Sequence, residues 1–179
     1  GHASALVTNP ISKEVLISGA CFAFPGHTEF LAHLTGAPQP VMMLAAPALR
    51  VVPVTIPIPL SDLPQTLTPA PLEAPLRTPA AALPRAFGLA SPRIAVAGLN
   101  PHAGEGGLMG REEIEVIAPV IAKLAEEGLA ITGPHSADTL FHPPARARYD
   151  AAVCMFHDQA LIPIKTIDFS GGVNVTLGL

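Results

Sequence analysis

Charged residues, cysteine and aromatic side chains are all scarce in this sequence. Charged residues make up 13% of the chain, half of the ~25% that is usual for soluble domains, and tryptophan is absent. The few Lys and Arg residues are scattered and the net charge is −4, which argues against a nucleic-acid-binding surface. Cys21 and Cys154 are too few for a disulfide framework, and their apolar neighbours indicate buried thiols in a reducing compartment.

The sequence also lacks a recognisable secretory signal and an uninterrupted membrane span. It begins Gly-His-Ala-Ser, with neither the basic segment nor the apolar core of a signal peptide. The most apolar stretch, 41–60, is long enough to cross a bilayer, but it contains four prolines and Arg50, which disfavour a spanning helix. We therefore expect a cytoplasmic protein that is not inserted in a membrane.

Hydrophobic residues make up 49% of the chain, and short apolar runs predict its fold. Apolar content of this size, with so small a net charge, can bury a core, and 179 residues correspond to one domain. Buried strands are predicted at 4–8, 41–46, 50–56, 93–97, 151–156 and 173–177. Helices are predicted at 12–18, 29–34 and 111–127, the last with a kink at Pro119. Strands that alternate with helices predict an α/β fold with a mostly parallel sheet.

Proline is concentrated in the middle of the chain. The stretch 53–92 contains ten prolines, which interrupt the helices that its leucines and alanines would otherwise favour. We predict an irregular, proline-rich segment there. The chain does not begin with Met, and the run at 173–177 ends abruptly, so we interpret 1–179 as a single partial domain of a longer protein.

The most distinctive motif lies at 98–110, between a predicted strand and the clearest predicted helix. Its five glycines would let backbone N–H groups approach a ligand at a helix N-terminus. Gly104, Gly106 and Gly110 are spaced one residue too widely for a dinucleotide-binding fingerprint, and Glu105 would repel a pyrophosphate. A glycine-rich turn that only exposes His102 is the simpler alternative.

A second histidine, His157, also follows a predicted strand. Ligands of open α/β sheets gather outside the carboxyl ends of the strands, and neutral imidazoles are the commonest ligands of catalytic metals. His102 and His157 therefore predict a divalent-metal site, although either could be a structural histidine. Asp158 could be a further ligand or could fix the tautomer of His157. A third ligand must come from elsewhere in the chain.

Two further groups of residues suggest an anionic ligand. His27 and Thr28 lie at a predicted helix start, where anions bind well, although Thr28 could instead be an N-cap. Lys165 stands in an apolar segment and could either meet an anionic partner or extend its amine into water.

These motifs together resemble the 4-hydroxythreonine-4-phosphate dehydrogenases of vitamin B6 (pyridoxal phosphate) biosynthesis. The matching segments occur in the family's order at 5–10, 25–30, 99–110, 137–141, 156–159 and 172–178. The run Asn-Pro-His-Ala-Gly-Glu-Gly-Gly at 100–107 is the most specific of them. Chains of the family extend further at both ends, so this sequence is similar to the central part of such a dehydrogenase.

The resemblance implies a fold and a reaction. The fold is an α/β/α sandwich similar to the isocitrate and isopropylmalate dehydrogenases, in a homodimer whose active site is shared between subunits. The reaction oxidises 4-phosphohydroxy-L-threonine with NAD or NADP, and the product loses CO2 to give 3-amino-2-oxopropyl phosphate. A divalent metal (Zn, Mg, Mn or Co) would polarise the hydroxyl and then the ketone.

The resemblance also implies roles for individual residues. They are His102 and His157 as metal ligands, His27, Thr28, Lys165 and Asn174 as substrate contacts, and Asp138 and Lys165 as catalytic residues. Asp138 would line the same pocket, from the same or the partner subunit.

The sequence departs from the family's pattern at Pro57. The family's remaining metal-ligand histidine precedes an (Ile/Leu)-Pro-Leu segment, whereas here Pro57 precedes Ile58-Pro59-Leu60, and proline cannot ligate. A substrate-binding arginine is expected beyond Leu179. Two alternatives therefore stand beside the main hypothesis: a related dehydrogenase of 4-phosphorylated threonate or erythronate, and an inactive remnant that binds phosphorylated ligands without turnover.

Overall fold

The structure is a computed structural model that describes residues 5–9, 11–20, 22–24, 26–37 and 39–179, with the backbone alone for Lys13 and His27. It contains two compact units, Gly1–Pro38 with Leu179, and Gln39–Gly178. The helices are α1 (Lys13–Ala20), α2 (His27–Thr35), α3 (Leu63–Thr66), α4 (Pro69–Phe87), α5 (Ala118–Glu126), α6 (Pro143–Arg146) and α7 (His157–Ile167). The strands are β1 (Val41–Ala46), β2 (Leu49–Pro53), β3 (Ile94–Ala97), β4 (Ile131–His135), β5 (Ala151–Cys154) and β6 (Val173–Leu177).

The first unit contains α1 and α2, close to the two helices predicted there. Helix α2 ends at Gly36, whose left-handed backbone lets its N–H reach back to carbonyls of the last turn. The strand predicted at 4–8 is wrong over its described part, 5–8. Leu6 and Val7 are 69% and 94% exposed, and without a neighbouring strand an apolar run has no hydrogen-bonding partner.

The second unit is built on a six-stranded sheet in the order β4-β3-β5-β2-β1-β6. The central pairings β2–β5, β5–β3 and β3–β4 are parallel, while β1 pairs antiparallel with β2 and with β6. The predicted α/β fold with a mostly parallel sheet is confirmed. Strand β4 was not predicted, because Ile-Thr-Gly-Pro-His carries little apolar signal, and its proline is tolerated because the strand lies at the sheet edge.

Both faces of the sheet are covered, which gives three layers. Successive side chains of a strand point to opposite faces, so Ile94 and Val96 enter one core while Ala95 and Ala97 enter the other. The first core is filled by leucines of α4 and by the apolar side of α5. The second core is covered by α7. Cys154 is buried in it, as predicted, whereas Cys21 lies outside the described residues.

The proline-rich stretch 53–92 contains a 19-residue helix, α4, so the prediction of an irregular segment is wrong over Pro69–Phe87. Three prolines lie inside this helix, and each lacks a backbone donor that an isolated helix would need. Leu72, Leu76 and Leu83 are fully buried against the sheet. Because tertiary packing provides most of the stability of helices in proteins, this buried stripe outweighs the missing hydrogen bonds.

The helix predicted at 111–127 forms in two parts. A π-helical turn, Glu113–Ile117, leads directly into α5, whose second residue is Pro119. The wider turn changes the hydrogen-bond pattern just before Pro119, which has no backbone donor. The kink at Pro119 stays a prediction. Within the described part of the chain, none of the helices has the length and apolar character needed to cross a membrane.

Candidate functional site

Three loops that follow parallel strands carry the residues singled out in the sequence. The loop 98–110 with His102 follows β3, the turn Ala137–Thr139 with Asp138 follows β4, and helix α7 with His157 begins just after β5. Because these strands run parallel and are neighbours in the sheet, their carboxyl ends lie at one edge. The topology therefore gathers these candidate residues at the edge where α/β proteins bind ligands.

The candidate residues are divided between a cavity among these loops and an open groove along α7. One, of about 310 Å³, includes His102, Asp138 and Gln159 in its lining. The other, of about 370 Å³, follows the outer face of α7 and includes His157 and Lys165. The structure thus brings His102 together with Asp138, and His157 together with Lys165.

The segment that presents His102 has an unusual backbone. Residues 102–106 all have positive φ, between 43° and 79°, and three of them (His102, Ala103 and Glu105) are not glycine. Left-handed conformation is unfavourable for residues with a Cβ, and such strain persists only where the surroundings impose it. The His102 ring is 61% exposed and its Nδ1 lies 3.3 Å from Oε2 of Glu105. This strained segment presents an imidazole to the cavity.

A buried carboxyl group fills the inside of this loop. Glu113 is 3% exposed and accepts the Asn100 backbone N–H (2.7 Å) and the Asn100 side-chain amide (3.0 Å). Glu112 accepts the same side-chain amide at 2.7 Å. Both carboxyl groups would repel a pyrophosphate, so the dinucleotide-fingerprint interpretation of the glycines is disfavoured on electrostatic grounds.

Gln159 links the ends of β3 and β5. Its Nε2 donates to the Gly98 carbonyl at 2.8 Å, and its Oε1 accepts the Met155 backbone N–H at 2.7 Å. One side chain therefore joins the loop that carries His102 to the start of the helix that carries His157. The sequence offered a signal for this residue only in its position next to His157-Asp158, and no role was predicted for it.

Local partners define the state of the polar groups at the site. The Ser136 hydroxyl donates to Asp138 Oδ1 at 2.6 Å, and this hydrogen bond, more than the nearby His102, lowers the Asp138 pKa. Asp138 is therefore ionised at neutral pH. The His157 Nδ1 lies 2.7 Å from Asp158 Oδ1, which favours a proton on Nδ1 and leaves Nε2 as a possible ligand.

The other predicted substrate contacts lie on β6 and at the start of α2. Asn174 is exposed on the edge strand β6, separated from β5 by β2 and β1. His27 and Thr28 begin α2 in the first unit, where the N-cap is Gly26, so the alternative role of Thr28 as N-cap is wrong. The helix starts two residues earlier than the predicted 29–34.

Pro57, the position at which the family resemblance implies a third metal-ligand histidine, lies at the same edge of the sheet. Pro57 is exposed in the segment that leaves β2, which runs parallel to β5. The Val54 N–H and the Thr55 hydroxyl bond to carbonyls of Cys154 and Met155 and hold this segment along β5. Among the residues that the structure describes, no three His, Cys, Asp or Glu side chains form a group that could hold a metal ion. With proline at 57, the donor set does not fit a complete metal centre.

Comparison with known proteins identifies the family. Residues 1–179 match the model described as pyridoxal phosphate biosynthetic protein PdxA. A 4-hydroxythreonine-4-phosphate dehydrogenase of Paracoccus denitrificans (strain Pd 1222) is 62% identical over 183 residues, which cover 100% of this chain and 57% of that protein.

Solved structures share the fold. The crystal structure of 4-hydroxythreonine-4-phosphate dehydrogenase from Klebsiella pneumoniae matches with a TM-score of 0.87 and 44% identity, over 96% of this chain and 51% of that one. A terephthalate 1,2-cis-dihydrodiol dehydrogenase from Burkholderia xenovorans LB400 matches with a TM-score of 0.77 and 34% identity, over 86% of this chain and 49% of that one.

The chain spans about half the length of the relatives that it matches. The match of the family model runs through every motif on which the resemblance depends, so the family predicted from the sequence is confirmed. The chain belongs to the family of the pyridoxal phosphate biosynthetic protein PdxA.

Proposed function

We propose that this chain is the central part of a 4-hydroxythreonine-4-phosphate dehydrogenase that acts in the cytoplasm. The reaction oxidises the secondary alcohol of 4-phosphohydroxy-L-threonine with NAD or NADP and then releases CO2 to give 3-amino-2-oxopropyl phosphate. The observation that carries the proposal is the family match over 1–179, which includes His102, Asp138 and His157 at one edge of the sheet. The proposal also includes a homodimer that shares the active site.

The residues of the two cavities fit different parts of the reaction. The ionised Asp138 beside His102 is suited to accept the hydroxyl proton as the alcohol is oxidised. A bound nicotinamide would supply the hydride acceptor for the carbon that carries this hydroxyl group. Lys165 lies two helical turns beyond His157 on α7, in the same cavity, and its ammonium group is suited to bind the substrate's anionic groups. By the family resemblance, His27, Thr28 and Asn174 would contact the substrate.

Pro57 is the residue that decides whether this chain can hold the metal. A catalytic metal site needs about three protein ligands, and the resemblance assigns two of them to His102 and His157. The free energy of zinc binding to protein sites is on the order of 10 kcal/mol. The loss of one ligand in three is therefore expected to weaken zinc affinity by several orders of magnitude. The proposed Zn, Mg, Mn or Co site is therefore incomplete in this chain.

The experiment that tests the proposal is equilibrium zinc binding to the purified chain and to Pro57→His. Pro59→His is the matched control, because it places a histidine two residues away in the same exposed segment. We expect tight binding only in Pro57→His, and loss of that binding when His102→Ala or His157→Ala is added. Equally weak binding in Pro57→His and Pro59→His would refute the assignment of the metal ligands.

Formation of NADH or NADPH from 4-phosphohydroxy-L-threonine by the same proteins tests the reaction itself. 4-Phosphothreonate and 4-phosphoerythronate are assayed in parallel, because a structural relative with a different named substrate shows that this fold serves more than one. Turnover by the chain as it stands would exclude the inactive remnant. Binding of a phosphorylated hydroxy acid without turnover, even in Pro57→His with zinc, would favour the remnant instead.

A further inference from the structure

The glycine-rich loop 98–110 is shaped around two side chains of the protein itself. A Cβ built on Gly104 would lie 2.7 Å from Oε2 of Glu113, and one built on Gly110 would lie 2.2 Å from Nδ2 of Asn100. A Cβ on Gly98 would meet Oε1 of Glu113 at 3.0 Å. The Asn100 amide and the Glu113 carboxyl group therefore lie close against the backbone of these glycines, together with Ala103 at Gly98. The positive φ of Gly104 and Gly110 favours glycine independently of these contacts.

The carboxyl group of Glu113 is buried in spite of the cost of removing it from water. Both of its oxygens accept hydrogen bonds, and both donors belong to Asn100. In the part of the chain that the structure describes, no Lys or Arg forms an ion pair with it. Burying a carboxyl group with neutral partners alone is expensive. A specific positional role would explain its presence.

That role is directed at His102. The Glu113 carboxyl group accepts hydrogen bonds from both the backbone N–H and the side-chain amide of Asn100. Asn100 lies two residues before His102, and its carbonyl accepts the Ala103 N–H at 3.1 Å. The left-handed segment 102–106 therefore starts from a residue that is anchored on both its backbone and its amide. Without the anchor, the positive φ angles at the non-glycine residues would relax toward ordinary values.

We propose that Glu113 is a positioning residue, whose buried carboxyl group fixes the left-handed segment 102–106 and thereby the direction of the His102 imidazole. The importance of that direction for catalysis rests on the proposed function. The geometric part does not, because it concerns this loop alone. Glu113 is buried and acts through Asn100.

The test compares Glu113→Gln with Glu115→Gln in the isotopically labelled chain by NMR. A glutamine side chain has the same shape as glutamate, but its single oxygen can accept only one of the two hydrogen bonds that Asn100 donates. Its NH2 group then faces the other Asn100 donor. We expect shifted signals for the Asn100 backbone and side-chain amides and for the His102 ring. We also expect amide hydrogen exchange in 100–110 to accelerate by about ten- to a hundredfold. Glu115 is exposed and pairs with Arg111, so its variant is expected to leave these signals in place.

Asn100→Ser keeps the proposal testable if Glu113→Gln does not fold. Serine removes the side-chain amide but keeps the backbone N–H that donates to Glu113, so a smaller displacement of the same signals is expected. Loop signals and exchange rates that match those of Glu115→Gln, in whichever of these two variants is folded, would overturn the proposal.

Turnover assays keep this proposal separate from the proposed function. If the wild-type chain or Pro57→His turns over, we expect Glu113→Gln to lower kcat and leave KM for the phosphorylated substrate within about twofold, because the loop geometry acts on chemistry more than on binding. A displaced loop in a Pro57→His chain that binds zinc but shows no turnover would support Glu113 as a positioning residue and count against the proposed function. An undisturbed loop in a chain with turnover would refute the positioning role alone.

Discussion

Removal of the Gln159 bridge is expected to destabilise the whole second unit. In Gln159→Leu, the side-chain volume is nearly kept, but the Gly98 carbonyl and the Met155 N–H both lose their partner. Each lost hydrogen bond costs about 0.5–1.5 kcal/mol, and a donor left unpaired in the interior costs about 1–3 kcal/mol. Met155 is fully buried, so its N–H would be a donor left unpaired in the interior. We expect the free energy of unfolding to fall by about 2–4 kcal/mol.

Urea unfolding followed by circular dichroism measures this loss, with Gln65→Leu as the control. Gln65 is exposed on α3, so its replacement should change the free energy of unfolding by less than about 0.5 kcal/mol. Gln159→Glu separates the two bonds, since it keeps an acceptor for Met155 and places an oxygen against the Gly98 carbonyl. A Gln159→Leu protein as stable as Gln65→Leu would refute the bridge between β3 and β5.

Two further predictions concern the core and the ion pair beside it. Leu76→Ala should lower the free energy of unfolding by about 2–5 kcal/mol in urea titrations, because Leu76 is fully buried, whereas the exposed Leu60→Ala should have little effect. The Arg93 hydrogen bond lowers the pKa of Asp150, so the pair stabilises the fold above the ordinary aspartate pKa of 3.8, and this stability is lost as pH falls through the lowered value. Between pH 2 and 6, the free energy of unfolding should therefore change less with pH in Arg93→Met than in Arg85→Met. Equal pH dependence in the two variants would contradict the pairing.

Local sequence was sufficient for the elements whose buried runs are unambiguous. The strands β1, β2, β3 and β5 were predicted because mostly apolar runs are typical of strands covered on both faces. Strand β6, whose apolar residues alternate with polar ones, was predicted as well. The same patterns, alternating with helices, gave the α/β class. The motif at 100–107 was specific enough to predict the family, and the residues it shares with that family include His102.

Local sequence misled wherever a distant partner changed the outcome. The prolines of α4 predict an irregular segment, yet packing of Leu72, Leu76 and Leu83 against the sheet forms a helix. The apolar run at 5–8 predicts a strand, but it has no strand beside it among the described residues. Strand β4 has a weak pattern and exists because β3 provides the hydrogen bonds.

The sequence by itself determined which chemical groups this protein has and where Pro57 removes one of them, because motifs are read from adjacent residues. Only the tertiary structure decided that His102 lies with Asp138, because these two residues follow different strands. His157 and Lys165 share one side of a single helix, which local periodicity is enough to give. The bridge made by Gln159 and the anchor made by Glu113 join residues that are 61 and 13 positions apart. Contacts of this kind follow from the parallel order of the strands and from the chain's turn back on itself. No local pattern contains that information.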